Sequence, residues 1–328
     1  MQTNNAPPSF DDILAASQRI AGSAVRTPLV RNDFLNERCA SNVWLKPEML
    51  QRGGSFKFRG AYNRIAQLSE AEAERGVVAW SSGNHAQGVA AAAQLRGVRA
   101  RIVMPEDAPA IKLRNTKALG AEVVTYDRYR EDREKISFAL AAEEGSVVIP
   151  SYDDPHIIAG QGTVGQEIFE DAPAALDALL VCCGGGGLTA GCALAAEALS
   201  PSTAVFCVEP EGYDDHARSL QSGQRERADT SQVSLCDALL TPTPGALTFP
   251  INQRLLSGAL VVSEAEVREA VRYAFEVLKL VVEPGGAVAL AALLSGKLSS
   301  EYTSVGIVLS GGNVDPALFG QLVLPAGD

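Results

Sequence analysis

Aromatic side chains are scarce in this chain of 328 residues, at 6%, and there are only three histidines. Positive charge is also short: 28 Lys plus Arg face 39 Asp plus Glu, for a net charge of −11, which argues against a protein that tracks a phosphate backbone. Long apolar runs are missing too. The longest uncharged stretch, Ala178 to Ala196, has the length of a membrane span, but Gly184 to Gly187 interrupt it, so it reads as a buried strand, a turn and a helix. The amino terminus from Met1 to Ser9 carries neither the basic nor the apolar block of a signal peptide, and a cytoplasmic location is expected. Six cysteines (Cys39, Cys182, Cys183, Cys192, Cys207, Cys236) lack metal-type spacing, and the adjacent pair lies in an apolar run, so structural disulfides are not expected. No repeat of fixed period and no low-complexity tract appears, and Gln221 to Gln232 is the most loop-like stretch.

What is present is an ordinary globular composition, 46% hydrophobic and 20% charged with 30 Gly and 17 Pro, in a chain long enough for two domains with a cleft between them. Ser9 and Asp12 have capping-box spacing ahead of Ile13, Leu14 and Ile20, which predicts a helix ended by Gly22. From Val77 onward short apolar runs alternate with helical patterns: Val77 to Trp80, Ala100 to Met104, Glu122 to Tyr126, Val147 to Ile149, Ala178 to Cys182, Val205 to Val208, Leu260 to Val262 and Val305 to Leu309. Each is short enough to be a strand buried on both faces, and the intervening segments are long enough for parallel crossovers. The expected fold class is therefore α/β with open, mostly parallel sheets.

Four segments carry chemistry. In Gly53-Gly54-Ser55-Phe56-Lys57-Phe58-Arg59-Gly60-Ala61, Lys57 sits in the first turn of a helix between two phenylalanines. An ammonium there is poorly solvated and disfavoured by the positive helix end, which lowers its pKa and suits Schiff-base chemistry. A surface lysine packing its stem on the aromatics is the competing reading. Ser81-Ser82-Gly83-Asn84-His85 follows the strand at Val77, where free N–H groups of a helix start favour a carboxylate or phosphate; a plain helix cap fits as well. Gly184 to Gly187 fall between a strand and a helix, so several N–H groups can converge on an anion, though a tight turn without ligand remains open. No Lys-Ser/Thr follows, so this is not a nucleotide P-loop. Ser310-Gly311-Gly312-Asn313 ends the strand Val305 to Leu309, where a hydroxyl could meet a neutral ring nitrogen or merely shape a turn.

In this order the four segments, together with Ile158-Ala159-Gly160-Gln161-Gly162-Thr163 and Glu283-Pro284-Gly285-Gly286-Ala287, resemble the serine/threonine dehydratase and serine racemase family across nearly the whole chain. Those are pyridoxal phosphate enzymes of fold type II, also called tryptophan-synthase-β-like. The resemblance implies pyridoxal 5′-phosphate as cofactor, with Lys57 its covalent attachment and Gly184 to Gly187 its phosphate cradle. Phe56 and Leu188 flank it, Asn84 meets its 3′-oxygen, and Ser310 its ring nitrogen. Ser81, Asn84 and His85 receive the substrate carboxylate, joined by Arg133 when a small mobile domain, residues 76–147, closes on a large one, residues 1–75 and 148–328. Ser82 is the expected proton donor opposite Lys57 in racemisation. Glu209-Pro210-Glu211-Gly212-Tyr213-Asp214-Asp215 looks like the cation site of the racemase branch, with Glu209, the Tyr213 carbonyl and Asp215 offering hard oxygen ligands to Mg²⁺ or Ca²⁺. A solvated acidic loop is the alternative. His156 and His216 are expected in surface or capping roles.

The activity so implied is an ammonia-lyase converting L-threonine or L-serine to a 2-oxo acid and ammonia. Serine racemase with side elimination and 3-hydroxyaspartate dehydratase are the alternatives. Arg128 and Arg130 have acidic neighbours and are expected in surface ion pairs, which leaves a second substrate carboxylate without a partner and ranks hydroxyaspartate lower. The chain is expected to form a homodimer or higher homo-oligomer, to bind no nucleic acid and no membrane, and, ending soon after Ser310, to lack feedback through an appended regulatory domain.

Overall fold

The computed structural model describes residues 6–108, 110–231 and 233–324. Part of the stretch from Met1 to Ser9, Gln232 and the carboxyl-terminal Asp328 therefore lie outside the described residues. Among the described residues ten strands are formed: β1 (Val30–Arg31), β2 (Asn42–Pro47), β3 (Val77–Trp80), β4 (Ala100–Pro105), β5 (Glu122–Tyr126), β6 (Val147–Val148), β7 (Ala178–Cys182), β8 (Ala204–Pro210), β9 (Gly258–Val262) and β10 (Ser304–Leu309). They make two sheets. One runs β1-β2-β10-β7-β8-β9, parallel except for the β1–β2 pair, and the other runs β5-β4-β3-β6, parallel throughout. The fold class is thus the expected α/β architecture with open parallel sheets.

The central strands follow from composition. All five residues of β7 are buried, as are Val305 and Ile307 to Leu309 of β10, because helices cover both faces of a parallel sheet. Three of the expected doubly buried strands are edges instead: β5, β6 and β9 are mostly half-exposed, since each pairs on one side only. Sequence reading missed β2, whose apolar run is only Val43 to Leu45 before Lys46 and Pro47. Lys46 is nonetheless fully buried, with Nζ on the Thr27 carbonyl at 2.7 Å and on Glu167 Oε2 at 2.6 Å. Beside it the buried guanidinium of Arg59 meets Glu48 at 2.8 Å and Glu167 at 2.7 Å. Two cations against two carboxylates leave no uncompensated charge, which is what lets so polar a cluster lie in the interior.

The first helix, Phe10–Ile20, has the predicted capping box from Ser9 and Asp12, and stops at Ile20, two residues before Gly22. The helix Lys57–Ile65 is wedged between the helix Asn84–Arg96 of the smaller sheet and the helix Pro155–Asp171 of the larger. Glycine permits this approach: a methyl group on Gly160 would stand 2.6 Å from the Cα of Gly60. The contact fixes the helix that presents Lys57.

Candidate active site

The carboxyl ends of β3, β7 and β10 open onto one cleft of about 800 Å³, a size suited to a cofactor and a small substrate. Its walls bring together Phe56, Lys57, Ser81, Ser82, Asn84, His85, Arg133, the loop from Gly184 to Leu188, and Ser310. Residues more than 250 positions apart thus share one cavity, as open parallel sheets with helices at their strand ends predict.

Lys57 is the first residue of its helix. Its Nζ donates to the Ser151 carbonyl at 2.7 Å and lies 5.2 Å from the centre of the Phe56 ring. Burial pushes its pKa down to about 8, opposed by the Cys182 thiol. At pH 7 about a tenth of such amines are neutral, against fewer than roughly one in a thousand at the ordinary value, so the group is primed as nucleophile or base. His85 is buried with Nε2 2.9 Å from the Ile149 carbonyl, and burial, then the charge of Lys57, lowers it to about 3. It stays neutral at working pH.

Asn84 is oriented from both ends. Its Nδ2 donates to Glu283 Oε1 at 2.5 Å while its Oδ1 accepts from Asn313 Nδ2 at 2.8 Å, and Asn313 also donates to the Gly53 carbonyl at 2.7 Å. Glu283 is raised to about 7, by burial first and then by Asp237. The Ser310 hydroxyl is neutral, and burial pushes the neighbouring Cys182 thiol up to about 12, so neither of these two groups brings charge to the cleft. All six cysteines are free thiols.

The tetraglycine loop is shaped by its carbonyls, which the protein holds from outside: Gly185 O accepts from Thr248 Oγ1 at 2.6 Å and Gly186 O from Asn252 Nδ2 at 3.4 Å. Gly186 has φ +90° and caps the helix Gly187–Leu199, whose first N–H groups have no intrahelical partner. A methyl group at Gly185 would strike the Tyr152 ring at 2.4 Å, and one at Gly186 would strike His216 and Asn252 at 2.6 Å. A loop with no room for side chains and its N–H groups at a helix start fits a phosphate.

Outside the cleft, Glu209 at the end of β8 accepts from the N–H groups of His216 at 3.0 Å and Ala217 at 2.8 Å. Asp215 is buried, its Oδ2 has no hydrogen-bond partner, and burial followed by Glu209 raises its pKa to about 7. Tyr213 lies between them in the same turn and is buried. Two adjacent buried carboxylates with an orphaned oxygen form a donor set that a hard divalent cation fits. His216 is a correction to the expected surface or capping role: it is fully buried between this cluster and Gly186, and with Cys183 and Glu209 it also forms a tight group of metal-capable side chains. Nothing in Asp-Asp-His signals this, because burial there depends on the helices at residues 215–222 and 248–255 meeting over the loop. His156 is exposed at a helix start, as expected. Arg128 pairs with Asp107 and Arg130 with Asp127, so both are surface ion pairs outside the cleft.

Sequence reasoning also missed Lys112. It lies in the helix Ala110–Ala118, is buried, lines the cleft and pairs with Asp237 across it. A lysine in Ala-Ile-Lys-Leu-Arg looks like any solvated helix residue, and only the tertiary fold turns it inward.

A parallel α/β fold that brings a desolvated lysine at a helix start and, at two strand ends, a glycine loop and a neutral serine into one cleft fits pyridoxal phosphate. Residues 20–311 match the family described as pyridoxal-phosphate dependent enzymes, and the chain belongs to that family, in its fold type II branch. Within it the chain is 46% identical to an L-threo-3-hydroxyaspartate ammonia-lyase from Pseudomonas sp, over 96% of this chain and 98% of that one. The catabolic L-threonine dehydratase of Escherichia coli is 40% identical over 98% of this chain and 97% of its own length. The structure of maize serine racemase superposes with a TM-score of 0.91 at 39% identity and 96% coverage of both chains. The branch is one of ammonia-lyases and racemases acting on small amino acids. No helix among the described residues is long and apolar enough to cross a membrane.

Proposed function

We propose that this chain is an L-threonine and L-serine ammonia-lyase with pyridoxal 5′-phosphate attached to Lys57. The observation that carries the reading is the desolvated amine of Lys57, held on the Ser151 carbonyl in the same cleft as the glycine loop. The cofactor, when bound, supplies the electron sink for charge left on the substrate's α-carbon. Lys57, as a neutral amine, takes the α-proton and holds it at Nζ while the β-carbon–oxygen bond breaks. Ser81, Asn84 and His85 receive the α-carboxylate at the start of their helix; a neutral His85 donates or accepts without adding charge. Asn84, with one amide hydrogen on Glu283, keeps a second for the cofactor's 3′-oxygen. Ser310 and the protonated Cys182 offer no charge that would hold the ring nitrogen protonated, which keeps the sink modest and favours elimination over a long-lived carbanion. Phe56 and Leu188 exclude water from the walls. The released enamine tautomerises and hydrolyses to the 2-oxo acid and ammonia.

Residues 76–147, which contain the smaller sheet except for Val148, are taken as the closing unit, and Arg133 at the rim reaches the carboxylate as it closes. Ser82 lines the cleft and is taken as the donor opposite Lys57, so weak racemisation of serine is expected, and Ser82→Ala should remove it while most L-serine elimination survives. Chiral chromatography of the residual serine reads the first and pyruvate release the second; parallel loss of both would assign Ser82 to binding. A divalent cation, Mg²⁺ or Ca²⁺, is assigned to Glu209, the Tyr213 carbonyl and Asp215. Chelation is then expected to lower melting temperature and rate together, and Asp215→Ala to abolish that response, because a cation bound only to the folded state stabilises it. A cytoplasmic homo-oligomer is the expected setting.

One observation favours a second reading, 3-hydroxyaspartate as the preferred substrate: Lys112 is a buried cation in the cleft. Threonine and serine stand first because Asp237 already neutralises that cation, and a second carboxylate left without a partner there would cost several kcal/mol. Assaying 2-oxo acid release across L-threonine, L-serine and L-threo-3-hydroxyaspartate decides. A tenfold higher kcat/KM for hydroxyaspartate, about 1.4 kcal/mol of differential transition-state binding, would reverse the order.

A further inference from the structure

Lys112 and Asp237 form an ion pair whose two ends differ in a way that matters for substrate choice. The lysine side chain is 8% exposed and the aspartate 47% exposed. Lys112 comes from the unit that carries the smaller sheet, Asp237 from the 3-10 turn Asp237–Leu239 beside the larger one, so the pair bridges the cleft. Its ammonium lies over the Ser81 to Asn84 turn: a methyl group at Gly83 would be 3.6 Å from Nζ. That turn is where the substrate's α-carboxylate is expected, so the pair lies beside the bound substrate. Asp237 can rotate into water at small cost, whereas Lys112 cannot leave without burying an unpaired charge.

We propose that Asp237 occupies, from within the chain, the place of a second substrate carboxylate, and that its exchange on Lys112 sets whether the site accepts neutral or dicarboxylic β-hydroxy amino acids. With Asp237 in place the pocket is neutral and suits serine and threonine. A dicarboxylic substrate must displace it, and then gains the buried lysine as partner. Glu283, close enough for Asp237 to disfavour its charge, would also be relieved when Asp237 moves out. This rests on the cleft being the lyase site, but its test is separate from that reading.

The test compares the holoenzyme with Asp237→Asn and Lys112→Met. The readouts are the ratio of kcat/KM for L-threo-3-hydroxyaspartate to that for L-serine, and the dissociation constant of L-aspartate against that of L-alanine. Asp237→Asn keeps the shape and removes the competing charge, so the ratio should rise at least tenfold and L-aspartate should bind at least tenfold tighter, with L-alanine moving less. Lys112→Met should lower the ratio at least tenfold. A ratio within twofold of the parent in either folded variant overturns the proposal while leaving the lyase assignment intact; should Lys112→Met fail to fold, the L-aspartate constant of Asp237→Asn decides alone. Absence of 2-oxo acid from every substrate in the parent enzyme would instead sink the lyase reading.

Discussion

Lys57→Ala is expected to lower turnover by at least about 10⁴-fold, because one side chain both anchors the cofactor and moves the α-proton, and neither role has a second candidate in reach. Of the other lysines of the interior, Lys46 is held by Glu167 and Thr27, and Lys112 lies on the opposite unit, paired with Asp237. Folding should be little changed. The ammonium of Lys57 is desolvated and makes a single hydrogen bond, to Ser151, so its loss removes an unfavourable burial along with that bond. A melting temperature within a few degrees of the parent, together with loss of the covalent cofactor absorbance, is the expected pair of results. The same lowered pKa gives a pH dependence with a definite sign. Capture of added cofactor by the cofactor-free protein needs the neutral amine, so its rate should climb about tenfold per pH unit on the acid side and level off above about 8. A rate still climbing at pH 10 would mean an ordinary, solvated lysine.

The second large effect is expected at Gly186, where alanine combines two penalties. The residue sits at φ +90°, a conformation that costs an L side chain about 1–2 kcal/mol, and the added methyl would meet His216 and Asn252 at 2.6 Å. Those two side chains lie behind the loop and are themselves buried, so relief must come from the loop moving outward into the space assigned to the phosphate. We expect the cofactor to bind at least about 100-fold more weakly, near 2.7 kcal/mol, while the protein stays folded. Equilibrium dialysis of pyridoxal phosphate measures this, and an unchanged dissociation constant would detach the loop from cofactor binding. Gly97→Ala is the control, since Gly97 also has positive φ, at +65°, but has open space around it.

The strands and site segments that sequence made legible share a cause. Parallel strands covered on both faces are largely apolar, so β3, β7 and β10 stand out as runs, and the loop that follows each lines the cleft, where such sheets bind ligands. Strand β2 was illegible because its inward Lys46 and following Pro47 break the apolar pattern, and its burial depends on Glu167, more than a hundred residues away. His216 and Lys112 were missed for the same physical reason: each is buried by elements distant in sequence, and nothing in their own segments marks them as inward. Tyr152, whose ring packs on Gly185, and Glu283, which orients Asn84, likewise owe their roles to the tertiary fold. The sequence ranks serine and threonine above hydroxyaspartate on the acidic neighbours of Arg128 and Arg130, which do pair outside the cleft; the determinant proposed above is instead Lys112 with Asp237, whose pairing across the cleft no local pattern reveals.

Lys57 is proposed to carry the cofactor in this cleft. Reducing the holoenzyme with borohydride and mapping the labelled peptide tests it most directly. One pyridoxyl group is expected, on Lys57 in the peptide containing Ser-Phe-Lys-Phe-Arg, with turnover lost in proportion to labelling; a label on Lys46 or Lys112 at comparable yield, or full labelling with activity retained, would refute the assignment.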